Sequence, residues 1–229
     1  MNVALITNQR AFYWHERHSA SFRYAATRLA PKREQPLSSP SPQIVEAVVV
    51  PSAALPHPPR WLSAAQLRPA PAALLRDWLF NQESLTRRLT ALSDQRFSVQ
   101  PLQQGWQTLR DDECVALQIP AHSIGWVREV FLLGAGQPWV FARSVAGRQA
   151  LEDSAFDLGE LGSRSLGELL FSDHAFSRGE LQVCRYPAAW LPNETRAEQL
   201  WARRSCFRRD SLAVLVAEVF LPTFWEQAL

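Results

Sequence analysis

Arg128 and Glu218 are the residues of this 229-residue chain whose type and setting point most clearly to chemistry. Each is the only charge on one face of a strand-like apolar stretch, residues 126–133 and 212–221, because alternate residues of a strand share a face. Burying an unpaired charge is costly, so each residue needs a partner or a ligand. Two opposite charges on apolar faces predict a closed pocket for a small polar molecule.

A β-hairpin is predicted to bring Arg143 beside Arg128. The stretch Gly134-Ala135-Gly136-Gln137 separates two strand-like runs and is typical of a hairpin loop. A four-residue loop places Leu133 opposite Pro138 and, counting back, Arg128 opposite Arg143. Like charges directly opposite each other repel, and an anion between them would resolve the conflict. The alternative is that one arginine reaches solvent by snorkelling.

Glu218 is the carboxylate expected to act with these arginines. A buried structural ion pair with Arg128 is one interpretation of this residue. The other is a carboxylate that accepts a hydrogen bond from a ligand hydroxyl or takes part in proton transfer. The sequence leaves both interpretations open.

Two predicted helix N-termini add main-chain donors. Ser84 and Ser165 are N-cap candidates, which makes Leu85 and Leu166 the first helical residues. Their N–H groups have no intrahelical acceptor, and a helix N-terminus favours anions. Leu85 and Leu166 are therefore candidates to bind a carboxylate with their amides while their side chains contact an apolar ring.

The wider pattern favours an α+β fold with an antiparallel sheet, since strands cluster around a few helices without regular alternation. Helices are predicted near residues 74–79, 85–92 and 166–171. Strands are predicted at residues 97–109, 126–133, 138–146, 180–185, 204–207 and 212–221.

Residues 1–60 form a proline-rich extension, and residues 61–229 are expected to form the catalytic domain. The extension holds eight of the sixteen prolines, seven Lys/Arg and three Glu, a net charge of +4. Such proline density prevents a long helix. We expect a disordered segment or a start-site artefact, with an Arg- and Ser-rich targeting peptide as the alternative.

Composition argues against several classes of protein. The 47% apolar content suffices for a full core, and neither a membrane span nor a secretory signal is recognisable. Residues 61–229 carry a net charge of −2, so no basic surface for nucleic acid is expected, and Arg203-Arg204 and Arg208-Arg209 are expected to be solvated. The three cysteines and five histidines lack metal-site spacing. We expect a cytoplasmic, monomeric protein with reduced thiols and no metal.

The order of short motifs between about Trp61 and Pro222 resembles the chorismate pyruvate-lyase family. The matching segments are Asp77-Trp78-Leu79, Glu83-Ser84-Leu85-Thr86-Arg87-Arg88, Trp126-Val127-Arg128-Glu129-Val130, Gln137-Pro138-Trp139, Ala142-Arg143-Ser144-Val145, Leu166-Gly167-Glu168-Leu169-Leu170-Phe171, Trp201-Ala202-Arg203-Arg204-Ser205 and Glu218-Val219-Phe220-Leu221-Pro222.

The resemblance implies an antiparallel sheet with helices covering a buried ligand site. It implies cleavage of chorismate into 4-hydroxybenzoate and pyruvate without metal or organic cofactor, the first step of ubiquinone synthesis in many bacteria. Arg128 and Glu218 would contact the phenolic oxygen end, and the amides of Leu85 and Leu166 would hold the ring carboxylate. The family commonly has methionine at the position of Leu85, which changes the pocket wall but not a main-chain contact.

The two carboxylates of chorismate suit two arginines in an apolar cavity. Our hypothesis places Arg128 at the ether oxygen, Arg143 at the enolpyruvyl carboxylate, and Glu218 at the ring oxygen or in proton transfer. Two rival classes are a ligand sensor, like the effector domains of some bacterial regulators, and a nucleic-acid-binding protein suggested by the arginines of residues 1–60.

Overall fold

The computed structural model describes residues 58–154, 156 and 158–229. Its strands are β1 (Leu62–Ser63), β2 (Phe97–Thr108), β3 (Ile124–Gly134), β4 (Gln137–Gly147), β5 (Ser177–Arg178), β6 (Gln182–Tyr186), β7 (Leu200–Arg209) and β8 (Leu212–Phe220). Its α-helices are α1 (Ala73–Phe80), α2 (Leu85–Leu92), α3 (Asp111–Leu117), α4 (Arg148–Glu152), α5 (Leu166–Ser172) and α6 (Pro222–Ala228). The prediction for residues 1–60 falls almost wholly outside the described residues and stays a prediction.

The strands form one antiparallel sheet in the order β1-β6-β7-β8-β4-β3-β2, with β5 added beside β7. The predicted α+β class is therefore confirmed. The helices begin where their caps predict: the Ser84 side chain accepts a hydrogen bond from the Arg87 amide, and the Ser165 side chain accepts one from the Glu168 amide. Pro222 follows β8 and is the first residue of α6. Proline suits this position because the first helical residue needs no N–H for an intrahelical hydrogen bond.

The hairpin between β3 and β4 forms as predicted, but its register is not the predicted one. The loop has two residues, Ala135 and Gly136, both with positive φ (50° and 81°), as in the tight turns that match strand twist. Leu133 does lie opposite Pro138, yet Leu132 lies opposite Val140. Trp139 is thus an extra residue, a β-bulge. Every pair beyond this bulge is shifted by one position.

The bulge explains why residue 134 is glycine. A Cβ atom there would lie 2.2 Å from the buried Trp139 ring. We expect Gly134→Ala to destabilise the fold by about 1–3 kcal/mol, because the ring would have to move within a packed core. Urea denaturation tests this, with Gly136→Asn as the control because its added Cβ meets no atom within 4 Å and asparagine tolerates positive φ. Equal stability of Gly134→Ala and the wild type would contradict this role.

The sheet has two unlike faces, both covered by helices. The inner face carries Arg128, Ser144, Val216 and Ser205, which lie directly opposite one another on neighbouring strands. Two buried apolar clusters lie on this face. One includes α1, α2 and α6 and the other includes α4 and α5. The outer face carries α3 and its own apolar clusters.

Candidate active site

Arg128 lies on the inner face, only 2% exposed. Its Nη2 donates to the carbonyl oxygens of Gly162 (2.8 Å) and Arg164 (3.1 Å), in the segment that leads to α5. Among the described residues its buried Nε has no acceptor, and no carboxylate pairs with this guanidinium. Burial lowers the pKa of Arg128. A buried cation with an unused donor can bind a ligand oxygen at low reorganisation cost.

Glu218 also lies on the inner face, but its ion-pair partner is Arg203 on the neighbouring strand. The two are directly opposite in the register, and Nε of Arg203 lies 2.7 Å from a Glu218 carboxylate oxygen. The structural interpretation of Glu218 as the ion-pair partner of Arg128 is therefore wrong. Arg203 is 1% exposed and donates Nη1 to Trp78 O (2.9 Å) and Asn81 O (3.3 Å) at the end of α1. Its buried Nη2 has no acceptor among the described residues.

Helices α2 and α5 meet at their N-terminal turns. The hydroxyls of Thr86 and Ser165 are 2.7 Å apart and buried. A Cβ atom on Gly167 would lie 3.2 Å from the Thr86 hydroxyl oxygen, so glycine permits this approach. Leu85 and Leu166, each the first residue of its helix, are both buried. The structure therefore brings together the two helix N-termini that the sequence singles out.

Arg178 completes the inner-face cluster. It pairs with Phe207 in the short contact between β5 and β7, and it donates Nε to Ser205 Oγ (2.9 Å) and Nη1 to Gln82 O (3.0 Å). The pKa of Arg178 is lowered to about 10: burial lowers it most, the negative charge of Glu218 raises it, and the like charge of Arg203 lowers it. Arg178 therefore remains a cation at neutral pH.

Arg143 is the site prediction that the geometry corrects. The Trp139 bulge places it opposite Glu129, on the outer face, and puts Ser144 opposite Arg128. Arg143 lies 2.6 Å from Glu113 and 2.8 Å from Glu129. Burial opposes its charge, but hydrogen bonds and attraction from these carboxylates raise the pKa of Arg143 above its ordinary value. Its charge is satisfied there, and it does not share the inner face with Arg128 and Glu218.

The expectation of solvated arginine pairs on β7 is also wrong for Arg203 and Arg204, which are 1% and 6% exposed. β7 begins at Leu200 rather than at residue 204, so these residues lie inside the strand on opposite faces. Arg204 pairs with Asp112 on the outer face. Sequence reasoning assigned no role to Arg178 and missed Arg203. Recognising that Trp201, Arg203, Ser205 and Phe207 share one face of a strand would have marked Arg203 as a second arginine on a largely apolar face.

Within the described residues, no three His, Cys, Asp or Glu side chains come together as a metal site requires. None of the helices in that part of the chain is long and apolar enough to cross a bilayer.

Comparison with known proteins identifies the class. Residues 55–229 match the family described as chorismate lyase. The probable chorismate pyruvate-lyase of Pseudomonas aeruginosa is 66% identical over 168 residues, covering 73% of this chain and 94% of that protein. The corresponding Pseudomonas syringae pv. syringae protein is 65% identical over 164 residues, covering 72% and 88%. The effector-binding domain of the Bacillus subtilis trehalose repressor is similar at 10% identity, with a TM-score of 0.41 and coverage of 54% of this chain and 90% of that one.

The chain, with its antiparallel sheet and buried charges on the inner face, is a member of a lyase family. It belongs to the chorismate lyase family.

Proposed function

We propose that this protein removes pyruvate from chorismate to give 4-hydroxybenzoate, the reaction that supplies the aromatic ring of ubiquinone. The observation that carries the proposal is that Arg128 and Glu218 share the inner face of the sheet, in a chain whose residues 55–229 match the chorismate lyase family. The cytoplasmic location and the monomeric state stay predictions.

The reaction needs orientation and charge stabilisation more than bond-making groups. The ether bond between the ring and the enolpyruvyl group breaks, the ring loses one proton and becomes aromatic, and enolpyruvate gains a proton to become pyruvate. Negative charge develops on the departing ether oxygen. A preorganised buried cation lowers the energy of such a transition state.

We assign the ether oxygen to Arg128, whose buried Nε is an unused donor. Glu218, held by Arg203, accepts a hydrogen bond from the ring hydroxyl or takes part in proton transfer. The amides of Leu85 and Leu166 hold the ring carboxylate, since helix N-termini favour anions. Arg143 is assigned a structural role on the outer face.

The proposal is tested by incubating purified protein with chorismate and EDTA and measuring both products. Equimolar 4-hydroxybenzoate and pyruvate, formed in proportion to enzyme, is the expected result. Tight binding of chorismate without pyruvate release would instead support the ligand-sensor class. Neither binding nor turnover would overturn the proposal.

Ser165 supports this arrangement through two hydrogen bonds, one to the Glu168 amide and one shared with Thr86. Ser165→Ala removes both, so we expect a loss of about 1 kcal/mol in stability from the missing cap. We also expect weaker binding of 4-hydroxybenzoate, because the α5 N-terminus loses its link to α2. Thermal denaturation and product titration check the two effects. Ser172→Ala at the other end of α5, where the hydroxyl is exposed, is the control.

A further inference from the structure

The substrate has a second carboxylate for which the outer-face position of Arg143 leaves no receptor. We propose that Arg178 and Arg203 form that receptor and bind the enolpyruvyl carboxylate, an inference that rests on the proposed function. Arg203 lies on the inner face and pairs with Glu218, and Arg178 lies opposite the inner-face residue Phe207 of the same strand, β7.

The guanidinium of Arg203 has a donor left for a ligand. Nε and Nη1 of this guanidinium are used by Glu218 and by the carbonyls of Trp78 and Asn81. Nη2 is buried and has no acceptor among the described residues. A buried donor without a hydrogen bond costs free energy, and a ligand carboxylate oxygen would accept that hydrogen bond.

The charge of the inner-face cluster suits a ligand with two carboxylates. Among the described residues the cluster holds three guanidinium groups, Arg128, Arg178 and Arg203, and one carboxylate, Glu218, which gives these four residues a net charge of +2. A dianion of two carboxylates neutralises this charge. A ligand with one carboxylate, such as the aromatic product, leaves one positive charge uncompensated.

The spacing of the arginines across the sheet suits a ring-sized ligand. Arg128 on β3 and Arg203 on β7 are separated by β4 and β8, so their strands are about 14 Å apart. Long side chains at that separation can approach a ring-sized ligand from two sides. Arg178 lies at the same end of this ligand position as Arg203, because it donates a hydrogen bond to Ser205, two residues after Arg203 on β7.

Hydrogen bonds to one loop hold the side chains of Arg178 and Arg203 in place. Arg178 and Arg203 donate to carbonyls of Gln82 and Asn81, in the loop between α1 and α2. Their guanidinium groups are therefore fixed before the ligand binds, which reduces the ordering cost of binding.

Arg178 provides the cleaner test, since no hydrogen bond joins it to Glu218. We expect Arg178→Gln to raise KM for chorismate by about 10–100-fold, the range for a lost charge-assisted hydrogen bond. The dissociation constant of 4-hydroxybenzoate, which lacks the enolpyruvyl group, should change less than about 3-fold on the same grounds. Arg178→Lys keeps the charge and should restore part of the affinity for chorismate.

The control is Arg208→Gln, which replaces an arginine next to Phe207 on the opposite face of β7, where Arg208 donates to the Ala116 carbonyl. Turnover by the wild type is required first, so failure of the proposed function would be visible before any variant is compared. Equal losses of chorismate and 4-hydroxybenzoate affinity in Arg178→Gln would overturn the inference, and so would an unchanged KM. Melting temperatures of the variants exclude unfolding as the cause of a loss.

Discussion

Arg128→Ala is expected to lower kcat/KM for chorismate by about 100–1,000-fold, the usual cost of removing one preorganised donor from a developing oxyanion. Arg128 is buried on the inner face and its Nε donor has no acceptor among the described residues, so in the proposed mechanism its charge acts where the ether oxygen departs. Steady-state kinetics measure this effect. The loss should fall on kcat as well as on KM, because the charge on oxygen grows in the transition state.

Arg128→Lys separates charge from geometry. Lysine keeps the cation but lacks the planar guanidinium, whose Nη2 donates to the Gly162 and Arg164 carbonyls while Nε stays available. We expect activity between that of the wild type and that of Arg128→Ala. Turnover within a factor of a few of the wild type in folded Arg128→Ala would remove Arg128 from the mechanism.

Arg143→Met is expected to have the largest effect on stability, about 3–5 kcal/mol, because it leaves two carboxylates buried without their cation. Glu113 and Glu129 are both buried, and Arg143 holds them together on the outer face. Chemical denaturation measures the loss. The kcat of the fraction that stays folded should remain close to that of the wild type, since the inner face, where we propose that the substrate binds, is untouched.

A compensated variant checks the cause of that loss. Arg143→Met combined with Glu113→Gln and Glu129→Gln removes all three charges, and much of the lost stability should return. A stable Arg143→Met protein with strongly reduced kcat would contradict the structural assignment. It would restore the hypothesis that Arg143 acts on the substrate.

Much of this arrangement follows from local patterns in the sequence. Alternation along β3 and β8 places Arg128 and Glu218 on apolar strand faces, and the two serine caps mark the helix starts at Leu85 and Leu166. These signals depend on neighbours within a few residues. The roles of these residues toward the ligand remain a proposal.

The remaining features depend on geometry that local patterns do not contain. A single extra residue, Trp139, moves Arg143 to the other face, because the side-chain period of a strand is two. The pairing of Glu218 with Arg203 depends on β7 lying next to β8 in register. Arg178 comes from a strand of only two residues, which is too short to give a periodic signal.

A crystal structure of the protein with 4-hydroxybenzoate would show whether the inner face binds the product. We expect one ring on this face, with its carboxylate at the amides of Leu85 and Leu166 and its hydroxyl between Arg128 and Glu218. A ring bound on the outer face near Arg143, or outside the cluster of Arg128 and Glu218, would contradict this expectation.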